Sequence, residues 1–268
     1  MPKKKIILGT FSWKRLFVSS ILIYIIMNVW IHYFISDGLM FPYNKTSYDD
    51  KLSGLKFIVA DDGTKIATRF WKSSHEKNFI LYFHGNYLDL GYLDDFAEKL
   101  NVNGYSVLAM DYRGYGLSQG NATEKNTYQD SQLLYEAALK MGYSSDKILI
   151  VGRSIGTGIA TELALKNTSK ALILISPFVS AYRVMTRIPL SPLDKFANLD
   201  KISHVTEPLF IIHGNKDTII KPWHSELIFE QHKGLKQRFI VDGAGHNDIL
   251  DYDLDRIFHQ FILFIEKS

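Results

Sequence analysis

Short apolar runs alternate with amphipathic stretches from about residue 54 to the end of the chain. Residues 55–71 predict a β-hairpin, because two strand-like runs flank a turn at Asp61, Asp62 and Gly63. Later apolar runs predict strands buried on both faces, at residues 79–83, 105–110, 148–151, 171–176, 208–214 and 237–243. Amphipathic periodicity predicts helices at residues 94–100, 124–141, 223–232 and 251–266. This alternation predicts an α/β fold, with a mostly parallel sheet and helices on both faces.

The first apolar run is too long to be a strand of this sheet. Leu16–Ile35 holds twenty residues without Asp, Glu, Lys or Arg. As a helix it would span roughly 30 Å, the thickness of a bilayer core. Trp30 and Tyr33 lie near its end, where interfacial aromatic residues are common. The pattern predicts a basic tail at 1–15, a transmembrane helix at 16–35, a linker at 36–53 and one domain at 54–268.

The charges around this helix predict its orientation. Lysine and arginine precede the apolar run and are sparse directly after it. The positive-inside rule then puts the N-terminus in the cytoplasm and the domain on the lumenal or extracytoplasmic side, as in a signal-anchor protein. A cleaved signal peptide and a buried domain helix remain open as alternatives, although no small-x-small cleavage site follows the run.

Composition excludes several classes of function. The 268 residues carry a net charge of only +3, and much of the excess lies before residue 16. With no long basic face, nucleic-acid binding is not expected. The chain has no cysteine, which rules out disulfides, thiolate metal sites and a cysteine nucleophile.

A Gly-x-Ser-x-Gly turn lies between the apolar run at 148–151 and a helical stretch ending at Lys166. Strand, turn and helix around a serine form the context of a nucleophile elbow, with Ser154 as the nucleophile. Gly152 and Gly156 suit a turn too tight for a Cβ. The alternative is an ordinary glycine-rich loop, for example one that binds phosphate.

A serine nucleophile needs a base and an acid, and in this arrangement they follow in the order serine, acid, histidine. Asp217 follows the strand at 208–214, and His246 follows the strand at 237–243. Both therefore belong to loops at the sheet edge that holds Ser154. We expect a Ser154–His246–Asp217 triad.

Two backbone N–H groups are expected to bind the oxyanion that forms during acyl transfer. One belongs to Ile155, directly after the nucleophile, and the other to Asn86, in the loop after the third strand. His84 is expected to support that loop rather than to react. Arg113, in the turn at 111–116, is expected to tie loops together.

The remaining histidines and acids have simpler explanations. His213 lies at a strand end and is expected to be structural, and Asp248 is expected to shape the loop of His246. Asp242 is a rival for the acid but shares a strand end with the base. Solvated or partly buried helix faces are expected for His224, His232 and His259, and a polar stretch without a leading strand surrounds His204.

Five motifs, in this order and spacing, resemble those of the α/β-hydrolase superfamily. They are HGN at 84–86, DYRGYGLSQG at 111–120, GRSIG at 152–156, HGNKD at 213–217 and GAGHND at 243–248. The likeness covers nearly all of 54–268 and is to the serine aminopeptidase S33-like branch, which holds the α/β-hydrolase-domain-containing proteins of types 12, 13 and 17. It implies an eight-stranded α/β-hydrolase fold and the same triad residues.

The resemblance also implies a substrate class, namely esters or thioesters of fatty acids. Some members act on lysophospholipids or monoacylglycerols, and type 17 acts on palmitoylated proteins. Type 17 proteins have a cysteine-rich, acylated N-terminus. This chain has a membrane span and no cysteine, which resembles types 12 and 13 more and weakens the case for protein depalmitoylation.

The segment between the strand after the elbow and the acid, residues 178–207, has room for only a small cap. Its apolar side chains would line the path of an acyl chain arriving from the bilayer, or would pack the cap onto the domain. These side chains are Met185, Ile188, Leu190 and Leu193.

Together these features predict a membrane-anchored serine hydrolase of fatty-acyl lipid esters that needs no metal or organic cofactor. We expect the bilayer and a lipid substrate as partners, and no nucleic acid or obligate protein partner. A thioesterase for acylated proteins, an S33-type aminopeptidase and a non-catalytic scaffold are the alternatives, although a scaffold would not need a complete triad.

Overall fold

The computed structural model describes residues 12–42, 45–252 and 254–268, and the predicted basic tail lies largely outside them. Its centre is an eight-stranded sheet in the order β1-β2-β4-β3-β5-β6-β7-β8. The strands are β1 (Leu55–Val59), β2 (Lys65–Trp71), β3 (Asn78–Phe83), β4 (Tyr105–Met110), β5 (Ile148–Arg153), β6 (Ala171–Ile175), β7 (Leu209–Gly214) and β8 (Lys236–Val241). β2 is antiparallel to β1 and β4, and all other neighbours are parallel. The predicted hairpin and sheet are confirmed.

Helices cover both faces of this sheet. The helices in the described part of the chain are α1 (Trp13–Trp30), α2 (Ser36–Met40), α3 (Asp94–Val102), α4 (Glu124–Lys140), α5 (Gly156–Lys166), α6 (Asn198–Ile202), α7 (Trp223–Gln231), α8 (Ile249–Tyr252) and α9 (Leu254–Ile265), of which α1 buries no residue. One apolar cluster joins the sheet to α4, α5, α6 and α7, and a second joins it to α3, α8 and α9. The two-sided covering explains why the central strands read as continuous apolar runs.

The central strand β3 illustrates how its residues divide between these clusters. Phe79, Leu81 and Phe83 belong to the cluster with α4 and α5, while Ile80 and Tyr82 belong to the other. All five are buried. Since successive side chains in a strand point to opposite faces, a strand covered on both sides has no polar position.

The N-terminal apolar run forms a helix that is longer than predicted. α1 continues through a π-helical turn, Ile31–Ile35, into α2, so residues 36–40 of the predicted linker are helical. The extension is held by contacts with the domain, since the Asp37 carboxylate pairs with Lys195. Trp13–Met40 is the one helix among the described residues with the length and apolar composition to cross a membrane.

The segment at 178–207, the predicted cap, is short and largely irregular. It contains a 3₁₀ turn, Tyr182–Val184, and the short helix α6. Between them lies an irregular stretch, residues 185–193, which we call the cap loop. Met185, Ile188 and Leu190 are exposed there, so they do not pack the cap onto the domain.

Candidate active site

A sharp turn between β5 and α5 presents Ser154. Its φ of 52° lies in the left-handed region, which side chains with a Cβ seldom occupy. Strain of this kind persists only where surrounding structure enforces it, and it is concentrated at functional sites. The turn therefore has the backbone conformation of a nucleophile elbow.

The two glycines of the motif are required by close packing of the backbone. A Cβ on Gly152 would lie 2.3 Å from the carbonyl oxygen of Gly156. A Cβ on Gly156 would lie 2.1 Å from the carbonyl oxygen of Phe83, in β3. Both distances are far below van der Waals contact, so only glycine fits at either position. This confirms the predicted reason for the motif.

Ser154, His246 and Asp217 lie in one hydrogen-bonded row, each at the carboxyl end of a different strand. His246 Nε2 is 3.0 Å from Ser154 Oγ, and His246 Nδ1 is 2.6 Å from Asp217 Oδ2. A carboxylate can only accept, so Nδ1 carries the proton and Nε2 is free to accept the Ser154 hydroxyl proton. This is the geometry of a serine nucleophile with its base and orienting acid.

The Asp217 carboxylate is buried and fully hydrogen-bonded. Its Oδ1 accepts from the N–H groups of Ile219 and Ile220, at 2.9 and 2.8 Å. Burial acts to raise the pKa of Asp217, but hydrogen bonds from His213, His246 and the Ile220 N–H outweigh it and hold that pKa well below its ordinary value. Asp217 is therefore ionised at neutral pH and favours a positive charge on His246.

His213 also contacts the acid. Its Nε2 lies 2.8 Å from the Ile220 carbonyl oxygen and 3.4 Å from Asp217 Oδ2. This agrees with the predicted structural role, but it adds a contact with the acid that the sequence did not reveal. The spacing His213-x-x-x-Asp217 across a strand end was the available signal.

Arg153 connects the serine to the loop of the histidine. Its guanidinium donates to the carbonyl oxygens of His246 and Asn247, at 3.3 and 3.0 Å. Asp248 stabilises the same loop by accepting the Gly245 N–H at 2.7 Å, as predicted. Arg153 was not recognised from sequence, because the variable positions of the motif carry no local signal for a contact with a distant loop.

The two predicted oxyanion donors lie in segments close to the serine. The Ile155 N–H precedes the first turn of α5, where N–H groups have no acceptor within the helix. Across the site, a Cβ placed on Gly85 would be 3.6 Å from the Cβ of Ser154, so the loop with Asn86 runs directly beside the nucleophile. The two predicted oxyanion donors thus belong to segments that flank Ser154.

Buried tyrosines hold the Asn86 loop in place. Tyr112 donates to the His84 carbonyl oxygen at 2.6 Å, and Tyr115 donates to the Asn86 carbonyl oxygen at 2.9 Å. The His84 ring contacts the Gly85 carbonyl oxygen at 2.8 Å. His84 therefore supports the loop, as predicted. Because Tyr112 and Tyr115 come from the turn after β4, that turn fixes the loop after β3.

Arg113, in the same turn, ties two further segments together. It forms a bidentate pair with the buried Asp130 of α4, at 2.8 and 2.9 Å, and also pairs with Asp62 in the β1–β2 turn. These contacts agree with its predicted role.

The other histidines lie away from the serine. His224 and His232 are fully buried rather than solvated or partly buried, which corrects the prediction. His224 Nδ1 accepts the N–H of Val179 at the root of the cap, and His232 Nδ1 lies 3.4 Å from the Ile202 carbonyl oxygen. Both bridge α7 and its C-terminal end to the cap region, a tertiary contact without a local signal. His204 and His259 are exposed.

Comparison with known families identifies the fold and its relatives. A family model described as serine aminopeptidase, S33, matches residues 74–199. The human α/β-hydrolase domain-containing protein 17B is 37% identical over 195 residues, which are 70% of this chain and 67% of that protein. The mouse protein 17C is 38% identical over 178 residues, covering 63% of this chain and 54% of that protein.

Solved structures with low sequence identity share the fold. An esterase from Pyrococcus furiosus superposes with a TM-score of 0.67 at 20% identity, over 80% of this chain and 91% of that one. Est1E from Butyrivibrio proteoclasticus, solved with ferulic acid, superposes with a TM-score of 0.62 at 19% sequence identity, over 80% of this chain and 100% of that one. At this identity the likeness establishes the fold alone.

The relatives named above are of type 17, whereas the missing cysteines favoured types 12 and 13. The absence of cysteine from the chain is thus a poor guide to which type the rest of it resembles. The motifs, the eight-stranded sheet and the 37% identity to protein 17B lead to one conclusion. The chain belongs to the α/β-hydrolase family of serine hydrolases.

Proposed function

We propose that this protein is a membrane-anchored serine hydrolase that cleaves fatty-acyl esters of lysophospholipid or monoacylglycerol type. The observation that carries the chemistry is the row from Asp217 through His246 to Ser154, with contacts of 2.6 and 3.0 Å. The observation that favours a lipid substrate is the apolar, exposed cap loop beside the long N-terminal helix.

Acylation begins when Ser154 Oγ attacks the carbonyl carbon of the ester. His246 Nε2 takes the hydroxyl proton, and the carbonyl electron pair moves onto the oxygen. The N–H groups of Ile155 and Asn86 stabilise that oxyanion, and ionised Asp217 stabilises the imidazolium. Collapse of the intermediate breaks the bond to the leaving oxygen, which receives the proton from Nε2.

Deacylation repeats these steps with water in place of serine. His246 takes a proton from water as the water oxygen attacks the acyl carbon. The bond to Ser154 Oγ then breaks, and the serine recovers its proton from His246. The products are the free alcohol and the fatty acid, and none of the steps needs a metal or organic cofactor.

The proposed anchor places the domain at a membrane. The helix Trp13–Met40 extends for roughly 42 Å, more than a bilayer core of about 30 Å requires. The basic residues before it favour a cytoplasmic N-terminus and a lumenal or extracytoplasmic domain. A small cap leaves the site accessible to a single acyl chain.

A thioesterase acting on acylated proteins is the second candidate. The 37% identity to a type 17 protein favours it, because the family resemblance implies palmitoylated protein substrates for that type. The same triad performs both reactions, with a thiolate replacing the alkoxide as leaving group. Ester and thioester substrates must therefore be compared directly.

The function is tested with a substrate panel on the full chain in detergent micelles. Lysophospholipids, monoacylglycerols, acyl thioesters and aminoacyl amides are each given to the wild type and to Ser154→Ala. We expect turnover of the first two classes by the wild type and none by the variant. Turnover confined to thioesters would favour the second candidate, and turnover confined to amides would favour an aminopeptidase.

A matched control guards against misfolding. Ser203→Ala removes a hydroxyl from a half-buried position in the cap region, where it bonds only the nearby Asp200 carbonyl and His204 ring, and should keep full activity. A wild-type chain that is folded but inactive on the whole panel would contradict the proposal.

A further inference from the structure

The long N-terminal helix is docked along the cap loop. Tyr24 Oη donates to the Leu190 carbonyl oxygen at 2.5 Å, and His32 Nδ1 donates to the Leu193 carbonyl oxygen at 2.8 Å. Tyr24 and His32 are eight residues apart, which corresponds to roughly 12 Å along a helix. The cap loop therefore follows the C-terminal half of the apolar helix rather than only touching its end.

A buried ion pair locks the last turns of the helix to the cap. Lys195 Nζ lies 2.7 Å from Asp37 Oδ1, and the lysine side chain is only 6% exposed. Directly after the helix, Phe41 is buried against the aromatic rings of Tyr112 and Phe196. These contacts fix the direction of the helix relative to the domain.

The same end of the helix lies beside the candidate active site. The Met40 carbonyl oxygen accepts from the Asn86 side-chain amide at 3.5 Å, and neighbouring Gly85 lies against Ser154. The helix thus contacts both the cap and the loop proposed to supply an oxyanion donor. The nucleophile and the cap lie at the end of the domain from which the helix emerges.

The cap loop is apolar where it is exposed. Met185, Ile188 and Leu190 are 87%, 62% and 53% exposed. Arg187 is the only charged residue between 185 and 193, and its long side chain suits the headgroup region of a bilayer. On the helix, Phe34 is likewise exposed.

Part of the backbone of this loop is hydrogen-bonded within the protein. Pro189 and Pro192 have no N–H group to satisfy. The Leu193 N–H donates to Ser191 Oγ at 3.1 Å. Four of the loop's carbonyl oxygens accept hydrogen bonds from side chains. The Arg187 carbonyl accepts from Arg183 and the Ile188 carbonyl from Thr186. The Leu190 carbonyl accepts from Tyr24 and the Leu193 carbonyl from His32. In hydrocarbon, unlike water, such groups must be satisfied within the protein.

We propose that the cap loop is immersed in the membrane leaflet crossed by the C-terminal half of the helix. The proposal rests on the anchoring proposed above and adds that the cap itself is a membrane-binding surface. The helix spans the bilayer, the cap loop lies along it for roughly 12 Å, and the loop offers apolar side chains and satisfied carbonyls to the lipid. The site beneath the cap then opens toward the leaflet.

The depth of the loop is measured with single nitroxide labels in vesicles of phosphatidylcholine. The chain has no cysteine, so Ile188→Cys and Met185→Cys each give one labelled site in the full chain. Collision rates with oxygen, which partitions into lipid, and with a water-soluble nickel chelate report whether each label lies in lipid. Ile23→Cys on the helix and Val102→Cys at the exposed end of α3 are the references.

Labels at 188 and 185 should show an oxygen-to-nickel ratio several-fold above that at 102, in the range of that at 23. If the label at position 23 lies in lipid while the labels at 188 and 185 give the same ratio as the label at 102, the cap proposal is overturned and the anchor stands. If the label at position 23 also gives the same ratio as the label at 102, the proposed anchoring is wrong, and the cap proposal that rests on it is wrong as well. Thermal unfolding of each labelled variant verifies that it is folded.

Discussion

Arg153 donates a hydrogen bond to the backbone carbonyl oxygen of His246, although 93 residues separate them in the chain. Because Arg153 directly precedes Ser154, this contact holds the base at a set distance from the nucleophile. We expect Arg153→Met to lower kcat about tenfold, since small displacements of a catalytic base are costly. KM should change little, because Arg153 acts on His246 rather than on the substrate.

The matched control for this prediction is Arg238→Met. Arg238 forms two long contacts, with Glu226 at 4.0 Å and with the Ser225 hydroxyl at 3.5 Å, and both partners belong to α7 rather than to the His246 loop. Its replacement should leave kcat within twofold, on the order of experimental error for surface changes. Equal kcat for Arg153→Met and the wild type would show that the loop positions His246 without the arginine.

The glycines of the elbow should be irreplaceable for folding. In Gly156→Ala the new methyl group, at the start of α5, would lie 2.1 Å from the carbonyl oxygen of Phe83, at the end of β3 in the centre of the sheet. We expect a loss of about 3 kcal/mol or more in the free energy of unfolding, or failure to fold. Urea unfolding in micelles measures this loss.

Gly38→Ala is the comparison, because a Cβ at Gly38 meets nothing within 4 Å and the residue is helical. This change should be neutral or stabilise by up to about 1 kcal/mol. A Gly156→Ala chain as stable as Gly38→Ala would contradict the packing described for the elbow.

The two acids around Arg113 should differ in their effect on stability. Asp130 is buried and makes both hydrogen bonds of a bidentate pair. Asp130→Ala would leave the guanidinium without its main partner, and we expect a loss of about 3–5 kcal/mol in the free energy of unfolding. Asp62→Ala, at an exposed turn, should cost clearly less. Equal losses, measured by urea unfolding, would contradict this assignment.

Stability should fall in mild acid, in part because of His224. Burial, together with the electrostatic influence of nearby His213 and Arg183, lowers the pKa of His224 to about 4. The unfolded chain binds this proton near pH 6.5, so the unfolded state holds more protons between these values. The stability that neutral His224 contributes is fully present above about pH 6.5. It is lost as the pH falls toward 4, and the free energy of unfolding then decreases by at most ~1.4 kcal/mol per pH unit.

His224→Asn tests this dependence, because the amide oxygen can still accept the Val179 N–H while the side chain does not titrate. The variant should show a shallower fall in unfolding free energy between pH 6.5 and 4 than the wild type. His204→Asn, at an exposed position, should keep the wild-type slope. A variant at position 224 with that same slope would refute the prediction.

Much of the fold, and the placement of Ser154, Asp217 and His246 at one edge of the sheet, could be predicted because the signals are local. Apolar runs predict buried strands, and each of Ser154, Asp217 and His246 comes shortly after one. Because the strands are parallel, their carboxyl ends bring the three residues to the same edge of the sheet. The Asp37–Lys195 pair and the Arg153 contact could not be predicted, because they join segments 158 and 93 residues apart. The residues around each member of these contacts give no indication of which distant residue it will contact. The linker boundary was misplaced for the same reason, since residues 36–40 owe their helical structure to docking on the cap.

The central claim, that Ser154 is the activated nucleophile, is tested most directly with a fluorophosphonate probe on the folded chain in micelles. The probe forms a covalent bond with a serine only when a neighbouring base removes its proton, as His246 is placed to do. The account predicts one label on Ser154 in the wild type and none in Ser154→Ala, with strongly slowed labelling in His246→Ala. A folded wild-type chain that stays unlabelled, or that is labelled at another serine, would contradict it.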